Sequence, residues 1–213
     1  MDLWPVTLEA RHSLLSTFGD LDDQQWEVPS LCHGWTIRQV LAHLILAERP
    51  PRRRYITAVV IARGSFDKAN HSFAVAEAQR PVDELLADYR SVIDHRFSPA
   101  GWPEAAPLSD IMLHSLDLRI PLDLDTDAPA EHYEPVLSLL FSRVGRSFTR
   151  RDRPTVRWAA NDKAWSTGNG PEVRGNMADL ALAAAGRSAR LDRLDRLDGP
   201  VARVPLVPVG GTR

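Results

Sequence analysis

The segment GWTIRQVLAHL (34–44) decides how this chain folds. Its apolar residues recur at the spacing of an amphipathic helix: Ile37, Val40, Leu41 and Leu44. Thr36 stands before them as an N-cap, and Gln39 occupies the position at which a capping box has glutamine or glutamate. His43 lies within this apolar stretch. The segment therefore predicts a helix that carries one imidazole.

A second segment, LSDIMLHSLDL (108–118), supplies an acid and another histidine. Asp110 and His114 are four residues apart, so a helix places them on one face about one turn apart. One carboxylate and two imidazoles brought together from two helices form a plausible divalent-metal site. Three protein ligands leave a coordination position open, which is the catalytic arrangement, for a bound water or thiol. Asp117 faces nearly the same way and is positioned to orient His114 by a hydrogen bond.

Simpler interpretations of these residues stay open. His43 alone is typical of a hydrogen-bonded core histidine, and Asp110 with His114 is also compatible with an ordinary surface pair. Asp117 has an alternative as the partner of Arg119 or of a backbone amide. Cys32 is a candidate nucleophile beside His33, but no acid is placed to orient the pair, and we interpret Cys32 as a buried loop thiol.

The composition excludes several classes of function. The 213 residues are 44% hydrophobic and 25% charged with a net charge of −2, so no electrostatic case exists for nucleic acid or an acidic membrane surface. The arginine run in 49–55 is interpreted as a solvated surface. One cysteine excludes an internal disulfide, the N-terminus does not resemble a signal peptide, and no apolar run is long enough for a membrane span. We therefore expect a cytoplasmic protein.

Hydrophobic periodicity predicts four helices in the first 120 or so residues, a natural number for a bundle. They cover 3–18, the segment after Thr36, the segment after Pro81 and 107–118. Pro50 and Pro51 interrupt the second helix, and helical character resumes at 53–62. Residues 64–80 are polar without a strong period, and we interpret them as a loop that has room for helical pieces.

The second half of the chain changes character. A helix is predicted over 131–147, then two short strands over 155–159 and 164–167 around an Asn-Asp turn. GNGPEVRG (168–175) is interpreted as a turn, a short alanine- and leucine-rich helix ends at Gly186, and 201–207 is a possible final strand. The predicted fold class is mainly α with a smaller α+β part. The predicted domains are a four-helix bundle over 1–125 and a small α+β domain over 126–213.

Three segments resemble the mycothiol-dependent maleylpyruvate isomerase family, within the DinB-like metal-binding bundle superfamily. VPSLCHGWTIRQVLAHL (28–44) resembles its opening Cys-x-Gly-Trp-Thr loop and Ala-His-Leu helix end. LSDIMLHSLDL resembles its second signature, an acid and a histidine followed by Asp-Leu. VRWAANDKAWSTGNGPEVRGNMADLALAAAGR (156–187) resembles its sterol-carrier-like α+β domain, which closes on Gly-Arg. The resemblance implies a DinB-like four-helix metal bundle followed by that small domain.

The resemblance also implies a chemistry. It implies a divalent ion, most often zinc although nickel or another is possible, bound by His43, Asp110 and His114, although the family usually has glutamate where this chain has Asp110. It implies mycothiol as the thiol cofactor or co-substrate of an isomerase or S-transferase that acts on a small electrophile. Arg187, in the closing Gly-Arg, is a candidate for contacting an anionic group, and a surface arginine is its alternative. A hydrolase using metal-bound water and a non-enzymatic metal- or ligand-binding protein are the other functions considered.

Overall fold

The computed structural model describes residues 2–49, 66–96, 101–126, 128–145 and 155–196. Within them, seven α-helices and four short strands follow the chain. The helices are α1 Trp4–Gly19, α2 Ile37–Glu48, α3 Phe66–Glu77, α4 Val82–Val92, α5 Ala106–Arg119, α6 Tyr133–Phe141 and α7 Met177–Ala184. Three sequence predictions lie outside the described residues: the helix over 53–62, nearly all of the arginine run and the strand over 201–207.

Helix starts follow the local signals in the sequence. The capping box predicted for α2 is confirmed, because the Thr36 backbone N–H donates to Gln39 Oε1 at 2.8 Å. Pro81 is the N-cap of α4, and Asp83 and Glu84 in the first turn complement the positive end of the helix dipole. The helices predicted over 3–18 and 107–118 are confirmed with ends shifted by one residue.

The predicted loop over 64–80 is wrong, because α3 occupies most of it. Its buried side chains among the described ones are the alanines Ala69 and Ala74, and Ala78 just after its end is buried too. Alanine is the strongest helix former, yet it adds little to an apolar periodicity. The helix predicted over 131–147 is too long, since α6 follows a single 3₁₀ turn at Ala130–His132 and ends at Phe141.

Four of the first five helices form the predicted bundle. Helix α1 contacts α4 and α5, and α2 contacts the same two, so the four enclose a common core. Its most buried side chains are Leu14, Phe18, Ile37, Leu41, Leu85, Tyr89, Leu108 and Leu116. Helix α3 packs on α2 in addition to the bundle.

A small mixed sheet occupies the second half. Its strands are β1 Arg157–Ala160, β2 Ser166–Thr167, β3 Glu172–Gly175 and β4 Asp195–Arg196, in the order β2-β1-β3-β4. Strand β1 pairs antiparallel with β2 and parallel with β3, and β4 is antiparallel to β3. The two predicted strands are confirmed. The turn prediction for GNGPEVRG is only half right, because the glycine turn ends at Pro171 and β3 follows it.

Helix α7 joins the two halves. It packs on β1 and β3 and contacts α6 and α5, so one apolar cluster runs from the bundle to the sheet. The architecture is therefore mainly α with a small α+β part, as predicted. The boundary at residue 125 stays a prediction. None of the helices among the described residues is long and apolar enough to cross a membrane.

Candidate metal centre

The structure brings together the three residues that the sequence singled out. Helix α2 carries His43, and α5 carries Asp110 and His114. Asp110 Oδ1 lies 3.6 Å from His43 Nε2 and 3.5 Å from His114 Nε2. The three donor atoms all lie within 4.8 Å of one another, and the two imidazole rings meet edge to face with centroids 4.9 Å apart.

This donor set fits a divalent cation. Bonds of about 2.0–2.1 Å to a tetrahedral zinc ion put neighbouring donor atoms about 3.3–3.4 Å apart. The two distances to Asp110 Oδ1, 3.5 and 3.6 Å, are within a few tenths of that value. Two imidazole nitrogens and one carboxylate oxygen are also the ligand types that zinc accepts. Two of the three donor-to-donor distances and all three ligand types therefore suit a three-ligand site.

Electrostatics keep the carboxylate of Asp110 ionised. Burial by itself would raise its pKa, but the nearby imidazoles of His114 and His43 hold the pKa well below its usual range. An ionised oxygen is the form that binds a cation. The carboxylate is also the most exposed group of the three, with a side chain 38% accessible against 15% for His43 and 10% for His114. The site therefore opens towards solvent on the Asp110 side.

A second carboxylate orients His114 from behind. Asp117 is fully buried, and its Oδ2 lies 3.0 Å from His114 Nδ1. Such a contact directs the other nitrogen, Nε2, towards the candidate cation position and favours the tautomer protonated on Nδ1. The alternative partner considered from the sequence, Arg119, instead donates to Ser13 and Thr17 on α1. Asp117 thus lies where a residue that orients His114 is needed.

Arg187 also reaches this carboxylate. Helix α7 ends in a Schellman motif, in which Gly186 N–H donates to Ala183 O at 3.0 Å and Arg187 N–H to Leu182 O at 2.9 Å. Gly186 has φ +84°, the left-handed conformation that glycine adopts without a Cβ penalty. The turn directs Arg187 back to the bundle, where Nε and Nη2 contact the two oxygens of Asp117 at 3.0 and 2.7 Å. Arg187 is therefore a largely buried partner of Asp117 and not a surface arginine.

Cys32 takes a larger part in the site than its sequence context predicted. Its Sγ lies 2.9 Å from Asp117 Oδ2 and 3.5 Å from His114 Nδ1, so an acid and a histidine do face it, although neither is the adjacent His33. Burial and the charge of Asp117 raise the pKa of the Cys32 thiol. The thiol is therefore protonated at neutral pH and donates to Asp117. No spacing rule in the sequence connects position 32 with 114 and 117.

The Cys32 thiol lies at the start of a tight turn over residues 32–35. Trp35 N–H donates to Cys32 O at 3.0 Å, and Gly34 at the third position has φ +75°, which is the pattern of a type II turn. Both ends of the turn contact His114: Cys32 Sγ lies 3.5 Å from its Nδ1, and the Trp35 indole lies against its ring with centroids 6.3 Å apart. The Trp35 indole is thus part of the wall of the candidate site.

A family model matches the part of the chain that contains these residues. Residues 7–119, more than half of the chain, match the family model described as the mycothiol maleylpyruvate isomerase N-terminal domain. The chain belongs to that family. The matched range contains His43, Asp110, His114 and Asp117, so the family assignment covers the whole candidate centre except for Arg187. The resemblance inferred from the sequence is confirmed.

Two solved structures share the fold of this maleylpyruvate isomerase family member. One is the crystal structure of the mycothiol-dependent maleylpyruvate isomerase, with a TM-score of 0.56 and 16% identity over 96% of each chain. The other is a histidine-to-alanine mutant of that protein, with a TM-score of 0.55 and the same identity and coverage. At this identity the likeness shows the fold alone. No curated protein matches the chain.

Proposed function

We propose that this protein is a metal-dependent enzyme that works with mycothiol, as an isomerase or S-transferase acting on a small electrophile. His43 Nε2, Asp110 Oδ1 and His114 Nε2 would hold the divalent ion, for which zinc is the first candidate. One observation carries the proposal: three donor atoms from two helices converge within 4.8 Å, while the far nitrogen of His114 is anchored on a buried carboxylate. The family assignment supports the thiol.

The ion would supply one kind of chemistry: a bound sulfur or water has a lowered pKa and becomes a nucleophile near neutral pH. The charges of the chain suit a thiolate. With neutral imidazoles, the two aspartates, Asp110 and Asp117, contribute two negative charges and Arg187 one positive charge. A divalent cation therefore leaves a net charge of about +1, which a thiolate neutralises and a neutral thiol does not.

The protein's own residues prepare the site. Asp117 accepts a hydrogen bond from His114 Nδ1–H, so that Nε2 is the nitrogen that would bind the ion. Arg187 keeps Asp117 ionised, and together they link the end of α7 to α5. For an isomerase, the added thiol leaves again after the double bond has rotated, whereas for a transferase it stays attached. Because low-molecular-weight thiols stay reduced in the cytoplasm, the proposal also places the protein there.

Metal binding is the first test. Zinc content and a calorimetric zinc titration are measured for the wild type, for His114→Ala and for the matched control His12→Ala, which changes an exposed histidine on α1. We expect one zinc per chain in the wild type and the control, and loss of tight binding in His114→Ala. Tight binding that survives in His114→Ala would mean that the ligands lie elsewhere.

Thiol dependence is the second test. The zinc-loaded protein is assayed with maleylpyruvate, the compound after which the structurally similar isomerase is named, and then with a panel of electrophiles, each with and without mycothiol. The proposal expects turnover only with the thiol. Turnover of an ester or amide without thiol would instead indicate a hydrolase, and zinc binding without any turnover would favour a binding protein.

A further inference from the structure

Trp35 forms one wall of the candidate centre, and it is hydrogen-bonded to His71, which is not one of the candidate ligands. The indole lies against both imidazoles, with centroid distances of 5.1 Å to His43 and 6.3 Å to His114. Its ring nitrogen, Nε1, donates to Nδ1 of His71 at 2.7 Å. His71 comes from α3, the helix that the sequence failed to predict. The sequence offered no spacing that connects His71 with the site.

The geometry shows how the two rings interact. Their planes are only 18° apart, and the centroids are 6.3 Å apart. Because Nε1 and Nδ1 are 2.7 Å apart, the rings meet edge to edge and the hydrogen bond runs in their common plane. A Cβ built on Gly34 would touch His71 Cε1 at 3.6 Å, so His71 packs on the same turn that carries Trp35.

The indole donor of Trp35 determines which nitrogen of His71 carries the proton. An indole nitrogen only donates, so Nδ1 of His71 must carry its lone pair and not a proton. The neutral ring then has its proton on Nε2, pointing away from Trp35. A substitution that keeps an acceptor atom at the Nδ1 position should preserve the contact. One that fills the same space without an acceptor should break it.

We propose that His71 is a positioning residue that holds the Trp35 indole against His43 and His114 and so fixes the wall of the metal centre. This role in a metal centre rests on the proposed function, because it requires that His43 and His114 bind a metal. The contact itself is independent of metal. His71 is not a ligand in this proposal, and its effect on the centre passes through Trp35.

The experiment observes the indole directly. The six tryptophans give six indole N–H signals in a ¹⁵N correlation spectrum, and Trp35→Phe assigns the relevant one. Spectra and indole hydrogen-exchange rates are recorded for metal-free wild type, His71→Leu, His71→Asn and the control His12→Leu. Asparagine offers Oδ1 near the position of Nδ1, whereas leucine offers no acceptor. A hydrogen bond of this kind corresponds to about a 2- to 10-fold change in exchange.

We expect His71→Leu to shift the Trp35 signal and to speed its exchange by about that factor. His71→Asn should restore most of the protection, and His12→Leu should match the wild type. With Co²⁺ bound, the Trp35 signal should be broadened in the wild type and less so in His71→Leu. Zinc affinity should stay close to that of the wild type, because the substitution alters no ligand.

The outcomes separate this inference from the proposed function. An unchanged Trp35 signal in His71→Leu would overturn the inference, whether or not the protein binds zinc. So would equal exchange in the leucine and asparagine variants, because a packing role does not need an acceptor. A wild type that binds no metal would overturn the proposed function and the wall's role in it, while the metal-free spectra would still decide whether His71 holds Trp35.

Discussion

Replacing Asp117 with asparagine removes the charge at the centre of the site while it keeps the shape. The carboxylate accepts from four donors: the Cys32 thiol, His114 Nδ1, and Nε and Nη2 of Arg187. An amide has one acceptor oxygen, and its NH₂ group would face at least one of these donors. Asparagine therefore cannot satisfy the network in either orientation of the amide.

The expected loss has two parts. Removing one partner of a buried ion pair costs about 3–5 kcal/mol of stability, because the charge of Arg187 is left uncompensated. Weakening the contact that orients a metal-binding histidine costs about 10- to 100-fold in metal affinity, or about 1.4–2.7 kcal/mol. A domain with about 5–15 kcal/mol of stability can still fold after the first loss. The second loss is therefore measurable on folded protein.

Urea denaturation of the metal-free protein and a zinc titration measure the two parts separately. Asp94→Asn, which changes an exposed aspartate, is the matched control and should leave both quantities unchanged. A second variant, Asp117→Asn with Arg187→Met, removes both charges and should be destabilised by less than the sum of the single changes. Wild-type stability and wild-type zinc affinity in Asp117→Asn would refute the reasoning.

Three further changes test the fold that supports the site. Gly186→Ala forces a Cβ into a φ of +84° and should cost about 1–2 kcal/mol in urea denaturation, whereas Gly19→Ala, with open space and no positive φ, should cost nothing. Burial raises the pKa of Asp179 above 3.8, so the Asp179 carboxyl makes the free energy of unfolding fall as the pH rises through that region. The stability of Asp179→Asn relative to the wild type should therefore be greater at pH 7 than at pH 3. The opposite order would contradict the shift. Leu41→Ala, at a fully buried position, should lower the urea-derived free energy of unfolding by about 2–5 kcal/mol, and a loss below about 1 kcal/mol would show that the bundle core is not packed as described.

Much of the fold follows from local sequence rules. The capping box at Thr36 and Gln39, the proline before α4 and the glycine after α7 each act over a few residues, and each predicted its element correctly. Helix α3 was missed because its buried side is made of alanines, which leave no apolar period. Strand β3 was missed because it has only one buried apolar side chain, Val173, and directly follows a glycine turn. The sequence therefore carries a strong turn signal and no alternating apolar pattern there.

The sequence by itself determined the grouping of Asp110, His114 and Asp117, because spacings of four and three residues on one helix fix which side chains share a face. The sequence proposed His43 as their partner, but only the tertiary structure placed it beside them. Only the tertiary structure decided the other groups that meet them: the Cys32 thiol from a loop, Arg187 from the end of α7 and the Trp35–His71 pair. The physical reason is that the two kinds of contact act over different distances along the chain. Helical geometry sets neighbours within one turn, whereas contacts between elements depend on how whole apolar faces pack, and no residue spacing along the chain records that packing.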